Sequence, residues 1–311
     1  MSIIHLDRPF GDLQIEGHEL VGPDDSRLGE AVVAIVGGVT WDAARFDLAP
    51  HLIGLCRTGI GVDAVDLAEA TARGVAVTNT PEGPTVSTAE HAIALLFAVA
   101  KTLGPHAERL RQGSGNYAGL STAIELDGLT IGLLGYGRIA RRVARIAHGI
   151  GMRVIAHDPF VWATDDATEL VELDALFAES HVLSLHAPLA PDTAEIMNEA
   201  AFAQCQPGAI LINCARGGLV NHAALVAALD SGLIAAAGLD VTDPEPLPPD
   251  HTLLHRDNVI VTPHIASSTV VGRTRMLDLA VEQAHLILEG IKPTELVNTD
   301  LLSPHWNDLE V

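Results

Sequence analysis

The chain predicts a two-domain α/β architecture in which a doubly wound parallel sheet is inserted into a smaller α/β domain. Three observations carry this. Short apolar runs bounded by Gly, Pro or Asp alternate with helical patterns, as buried parallel strands and their crossovers do. Six such runs follow one another between residues 130 and 261, enough for one doubly wound sheet. Similar runs before residue 100 and a last helical pattern leave material for a second domain, and 311 residues, 48% hydrophobic, suffice for two cores.

The first expected strands are Ala31–Val36, Leu52–Cys56 and Val75–Asn79, with a helix over Val65–Arg73. An apolar helix follows from Ser87 to Lys101, where Ser87 and Glu90 read as a capping box. The later strands are Thr130–Leu134, Arg153–His157, His181–Leu185, Ala209–Asn213, Ala235–Leu239 and Val259–Val261, ahead of a final helix near Arg273–Glu289. The expected domains are 1–100 plus 283–311, and 101–282. The segment ahead of Ala31 is short, so the first βα unit is expected to be trimmed.

The stretch Leu129-Thr-Ile-Gly-Leu-Leu-Gly135-Tyr-Gly137-Arg-Ile-Ala140 runs from a strand through a glycine turn into a helix, and the next strand ends on Asp158. That is the layout of a dinucleotide-binding βαβ unit. Gly135 permits the tight turn, Gly137 lets backbone approach a pyrophosphate, and Ala140 lets the helix pack on the strand. The N–H groups near Arg138 and Ile139 face the phosphates at the helix N-terminus. Asp158 accepts both adenosine ribose hydroxyls and repels a 2′-phosphate, which selects NAD over NADP.

Composition excludes several classes. The formal charge is −22, with Lys101 and Lys292 the only lysines, so nucleic acid and anionic membranes are poor partners. No run of 18 or more apolar residues and no signal-like N-terminus is present. Cys56, Cys205 and Cys214 form neither a disulfide framework nor a metal site, which fits a reducing cytoplasm. In so acidic a chain an anionic ligand depends on individual arginines.

Three expected strands of the second domain end near unusual polar residues: Arg216 in Asn213-Cys-Ala-Arg-Gly-Gly-Leu-Val220, Glu245 in Asp240-Val-Thr-Asp-Pro-Glu-Pro246, and His264 in Thr262-Pro-His-Ile-Ala-Ser267. Strand C-termini are where this architecture places ligands. A histidine suits proton transfer near neutrality, a carboxylate beside it favours imidazolium, and a guanidinium grips a carboxylate in bidentate fashion.

These phrases, in this order, resemble the NAD-dependent D-isomer-specific 2-hydroxyacid dehydrogenases from about Arg57 to Asn298. The resemblance implies a Rossmann domain inserted into a smaller flavodoxin-like domain, with substrate in the cleft between them. It implies that Arg216 binds the carboxylate and carbonyl of a 2-keto acid, that His264 is the acid/base and that Glu245 pairs with it. It adds Ile60 and Gly61 as backbone donors to the substrate carboxylate. His186, Pro188, Cys214 and Ala215 then line the cofactor, and Asp240 bonds the nicotinamide carboxamide or else caps a helix. Asn221 stands where the family more often has Asp and is expected to cap the next helix.

Arg57 and the Asn79-Thr-Pro81-Glu-Gly83 phrase are similar to phosphoglycerate dehydrogenases, where such an arginine contributes to phosphate binding; Pro84 departs from their pattern. With the chain ending at Val311, no serine-sensing domain is expected. A glyoxylate/hydroxypyruvate reductase or a general 2-keto acid reductase is the close alternative, and an NAD(H)-binding regulator the alternative of another class. The expected partner is a small anionic 2-hydroxy or 2-keto acid, with no metal. A homodimer is implied, with residues 101–125 as its arm.

Overall fold

A computed structural model describes residues 1–11, 13–114 and 122–300. Part of the expected dimer arm, residues 115–121, lies outside the described residues. In chain order the strands and α-helices are β1 (Ile3–Leu6), β2 (Glu19–Val21), β3 (Ala31–Val36), α1 (Ala43–Asp47), β4 (Gly54–Arg57), α2 (Leu67–Ala72), β5 (Ala76–Thr78), α3 (Thr85–Ala100) and α4 (Leu103–Arg111). They continue as β6 (Thr130–Leu134), α5 (Arg138–Gly149), β7 (Arg153–His157), β8 (Glu169–Leu170), α6 (Leu173–Glu179), β9 (Val182–Leu185), α7 (Glu199–Gln204), β10 (Ala209–Asn213), α8 (His222–Ser231), β11 (Ile234–Leu239), β12 (Val259–Val261) and α9 (Val270–Leu288).

The chain forms two compact units, Met1–Pro84 with Ser268–Val311, and Thr85–Ser267. In the first, five parallel strands run in the order β2-β1-β3-β4-β5, the flavodoxin-like sequence. Strands β1 and β2 were not among the expected ones, since runs of four and three residues show no periodicity. No helix occurs among the described residues between them, so this first crossover is trimmed. One face of the sheet buries Ile4, Val33, Ile35 and Cys56 against Ala280, Ala284 and Ile287 of α9. The other buries Trp41, Phe46, Leu55 and Val77.

In the second unit, seven parallel strands run β12-β11-β10-β9-β6-β7-β8, the doubly wound order. The six expected strands are all present, and the two-residue β8 adds an edge. Leu95, Leu96 and Val99 of α3 share a core with Ile210 and Ile212 of β10 and Val143 of α5. Gly238 of β11 is a close-approach point, because a Cβ there would lie 2.9 Å from Leu95 Cβ.

The unit limits therefore fall at 84/85 and 267/268, not at the expected 100/101 and 282/283. Each long helix belongs to the sheet that buries its apolar stripe, α3 to the larger and α9 to the smaller. Helix α3 also starts before Ser87, which is buried at its third position, so the expected capping box does not form. By contrast Asn221 does cap α8, its Oδ1 accepting from the Ala224 N–H at 2.9 Å.

Candidate active site

At the end of β6, Gly135 has φ +89, and a Cβ there would lie 2.7 Å from the Ala187 nitrogen. Conformation and space both demand glycine, and the His186–Ala187 backbone rests on the turn. Gly137 is the N-cap of α5 and offers no side-chain acceptor to the first N–H groups. Nothing lies within 4 Å of where its Cβ would be. This open cradle at a positive helix end fits a pyrophosphate, and a side chain would fill it. Ala140 is fully buried where helix meets strand.

Asp158, just past β7, is fixed beside the turn. Its Oδ2 accepts from the Tyr136 N–H at 2.8 Å and its Oδ1 from the Phe160 N–H at 2.9 Å. Tyr136, between the two glycines, is fully buried. Its hydroxyl donates to Asp166 at 2.9 Å, and the Arg141 guanidinium lies 4.8 Å over its ring. Tyr136 was not among the expected site residues, because its hydroxyl is held by the chain-distant Asp166.

The turn after β10 is held by buried Asn213, whose Oδ1 accepts from the Ala215 N–H at 3.0 Å while its Nδ2 donates to the Arg216 carbonyl at 2.8 Å. These bonds fix the backbone that carries Arg216. At Gly217 a Cβ would lie 2.1 Å from the Thr242 carbonyl carbon, so the Arg216 turn packs backbone to backbone on the segment leading to Glu245. Neither Asn213 nor Gly217 was singled out from sequence, because each acts through contacts between chain-distant loops.

His264 follows β12 with φ +52, in the left-handed region. Its ring Nδ1 lies 2.6 Å from Glu245 Oε1. A carboxylate only accepts, so Nδ1–H is the donor and Nε2 is left for a ligand. The strained turn is over-determined by one residue. Asp240 Oδ1 accepts from the Ile265 N–H at 2.9 Å and its Oδ2 from the Ala266 N–H at 2.7 Å. The Asp240 carbonyl accepts from the His264 N–H at 2.8 Å. The Thr262 hydroxyl donates to Oδ1 at 2.6 Å. His91 of α3 reaches the same cluster, its Nε2 lying 3.1 Å from Thr262 Oγ1.

The Asp240 side chain is fully buried, and no helix starts there, so it does not act as a helix cap. It is the floor on which His264 stands. Burial pushes its carboxyl up, but hydrogen bonds from His91, Thr262, Ile265 and Ala266 outweigh this and hold it below the ordinary value. Burial, with Asp240 beside it, pushes the Cys214 thiol well above the ordinary range, so it packs as an apolar residue in the α3 core.

His186 and Pro188 lie beyond β9 in the segment that crosses the glycine turn. Burial pulls the His186 imidazole down from 6.5 to about 4, and Ser184 Oγ lies 2.9 Å from its Nε2. Burial also lowers His5 and His222. Between 6.5 and about 4 the unfolded His186 binds a proton that the folded one refuses, so stability falls as pH drops through that window. The His186 contribution is at most roughly 3 kcal/mol. Thermal melts from pH 7 to pH 4 are expected to show a falling midpoint, with a shallower fall for His186→Asn.

In the smaller unit, Arg57 ends β4 and its Nη1 donates to the Thr58 carbonyl at 3.0 Å. The next loop is tied by Asn79 Nδ2, which donates to the Ile60 carbonyl at 2.8 Å, and by the Thr80 N–H, which donates to the Gly59 carbonyl at 3.0 Å. The Ile60 and Gly61 N–H groups have no acceptor among the described residues. Among the described residues, no group of three His, Cys, Asp or Glu could hold a metal ion.

Residues 93–266 match the family model of the D-isomer specific 2-hydroxyacid dehydrogenases, NAD binding domain. The D-3-phosphoglycerate dehydrogenase of Archaeoglobus fulgidus is 39% identical over 85% of this chain. The chain spans only 50% of that relative's length. A glyoxylate reductase of Korarchaeum cryptofilum is 38% identical over 84% of this chain and 80% of its own. A solved structure of a protein from Thermus thermophilus superposes with a TM-score of 0.88, at 37% identity, covering 95% of this chain and 100% of that one. With the glycine turn, the acid beside it and the Arg216, Glu245 and His264 segments all built on its doubly wound unit, the chain belongs to the D-isomer specific 2-hydroxyacid dehydrogenase family and carries its NAD-binding domain.

Proposed function

We propose that this protein is an oxidoreductase that moves hydride between NAD(H) and a small D-2-hydroxy acid/2-keto acid pair, with 3-phosphoglycerate the favoured substrate. The observation that carries the chemistry is the 2.6 Å bond between His264 Nδ1 and Glu245 Oε1, which commits Nε2 to a ligand. NADH, held at the Gly135–Gly137 turn, would supply the hydride for C2 of the keto acid. His264 gives its Nε2 proton to the keto oxygen and takes it back in the reverse direction. Glu245 fixes the ring through its bond to Nδ1. Arg216 grips the carboxylate and stabilises charge growing on the keto oxygen. The Ile60 and Gly61 N–H groups are proposed carboxylate donors, and Arg57 a phosphate ligand. Asp158, beside the glycine turn, selects NAD by repelling a 2′-phosphate.

A second reading, a glyoxylate or hydroxypyruvate reductase, is favoured by the 38% identity to a relative of that name and by Pro84. Steady-state oxidation of NADH against glyoxylate, hydroxypyruvate, pyruvate and phosphohydroxypyruvate separates the two, with NADPH as control. The expected result is a preference for NADH and the highest kcat/KM for phosphohydroxypyruvate, lost selectively in Arg57→Ala. If an uncharged-tail keto acid wins and Arg57→Ala is neutral, the second reading holds. NADH binding without turnover across the panel would replace both with a regulatory NAD(H)-binding protein.

A further inference from the structure

The smaller unit holds a cavity of about 290 Å³ lined by Arg8, Phe10, Thr58, Arg273, Met276 and Leu277, among others. Among the described residues no Asp or Glu lines it, in a chain with 40 acidic and 18 basic residues. Among the described residues neither Arg8 nor Arg273 has a carboxylate within ion-pair distance, whereas Arg27, Arg73, Arg141, Arg153 and Arg256 all do.

Arg8 is nonetheless positioned. Its Nη2 donates to Thr58 Oγ1 at 3.1 Å, while the Thr58 hydroxyl itself donates to the Val36 carbonyl at 3.1 Å. Its guanidinium carbon sits 5.1 Å over the Phe10 ring. It also occupies the space above Gly37, where a Cβ would lie 2.6 Å from that carbon. The neighbouring Asp7 is buried, accepts from the Gly37 N–H at 2.7 Å and is not part of the lining. Arg273 stands in the first turn of α9, where the helix dipole adds positive potential. Arg8 and Thr58 follow β1 and β4, at the carboxyl ends of a 2-1-3-4-5 sheet, the edge where this fold places ligands.

We propose that this cavity is an anion site for the phosphate or carboxylate group of a small organic acid. Arg8 and Arg273 bind the oxygens, and Phe10, Met276 and Leu277 face the carbon chain. The proposal rests on the smaller unit alone and is independent of the redox reading. The anion is either the distal group of the substrate or a separate small acid.

The test is calorimetric titration of inorganic phosphate into the full chain saturated with NAD, at low ionic strength. Arg8→Gln and Arg273→Gln are each expected to weaken binding about tenfold or more. Gly37→Ala keeps every charge but displaces the Arg8 guanidinium, and is expected to weaken it as well. No binding to the wild type, or wild-type affinity in both arginine variants, overturns the site. The source follows from the kcat/KM ratio of phosphohydroxypyruvate to glyoxylate. A tenfold fall in that ratio for Arg8→Gln assigns the site to the substrate's distal group, and an unchanged ratio with phosphate binding lost assigns it to a separate acid. Arg8-dependent phosphate binding with no turnover on any keto acid keeps the site and sinks the redox reading.

Discussion

His264→Asn is expected to lower kcat for 2-keto acid reduction by about 10²–10⁴-fold, the range a positioned general acid contributes. Asparagine is the right replacement because it tolerates the left-handed backbone that His264 adopts at φ +52. The Asp240 bonds to the Ile265 and Ala266 N–H groups should then survive, leaving the turn in place and removing only the imidazole. NADH affinity, read by fluorescence titration, is expected to hold. Glu245→Gln keeps an acceptor near Nδ1 but removes its charge. A charged partner is worth about 1.4 kcal/mol more than a neutral one, so a fall of about tenfold is expected. If His264→Asn keeps more than a tenth of the wild-type kcat, another group carries the proton.

Gly217→Ala is expected to give the largest stability loss of any single methyl added to this chain's functional loops. Its Cβ would lie 2.1 Å from the Thr242 carbonyl carbon and 2.7 Å from the Asp243 nitrogen, backbone atoms that cannot rotate away. Overpacking commonly costs about 1–3 kcal/mol, and a clash with two backbone units belongs at the upper end. Relief requires the Arg216 turn to separate from the segment carrying Glu245, so kcat/KM should fall along with the urea midpoint. Gly104→Ala in α4 is the control. It meets nothing within 4 Å and is expected to be neutral or mildly stabilising. An unchanged midpoint for Gly217→Ala would mean that the two loops are not packed as described.

Much of this site was legible in the sequence because its signals are local. Gly135, Gly137, Ala140 and Asp158 lie within one βαβ unit, whose turn, helix start and strand end are each set by neighbours in the chain. The strands of the larger sheet were legible for the same reason, as continuous apolar runs between breakers. What escaped was short or depended on distant partners. Strands β1 and β2 are too brief to show a period, and they are strands because β3 and each other supply hydrogen-bond partners. Asn213, Gly217 and His91 are ordinary residue types whose importance lies in what faces them across the fold.

The sequence by itself determined the α/β class and the dinucleotide turn, and marked Arg216, Glu245 and His264 as candidates, because spacing along the chain specifies turns, helix starts and strand ends. Only the tertiary structure decided which sheet each long helix serves, that Asp240 supports the His264 turn, and that Arg8 and Arg273 line one cavity. The physical reason is range. Backbone propensity acts over a few residues, whereas burial, close backbone approach and side-chain hydrogen bonding depend on groups that meet only once the sheets have formed.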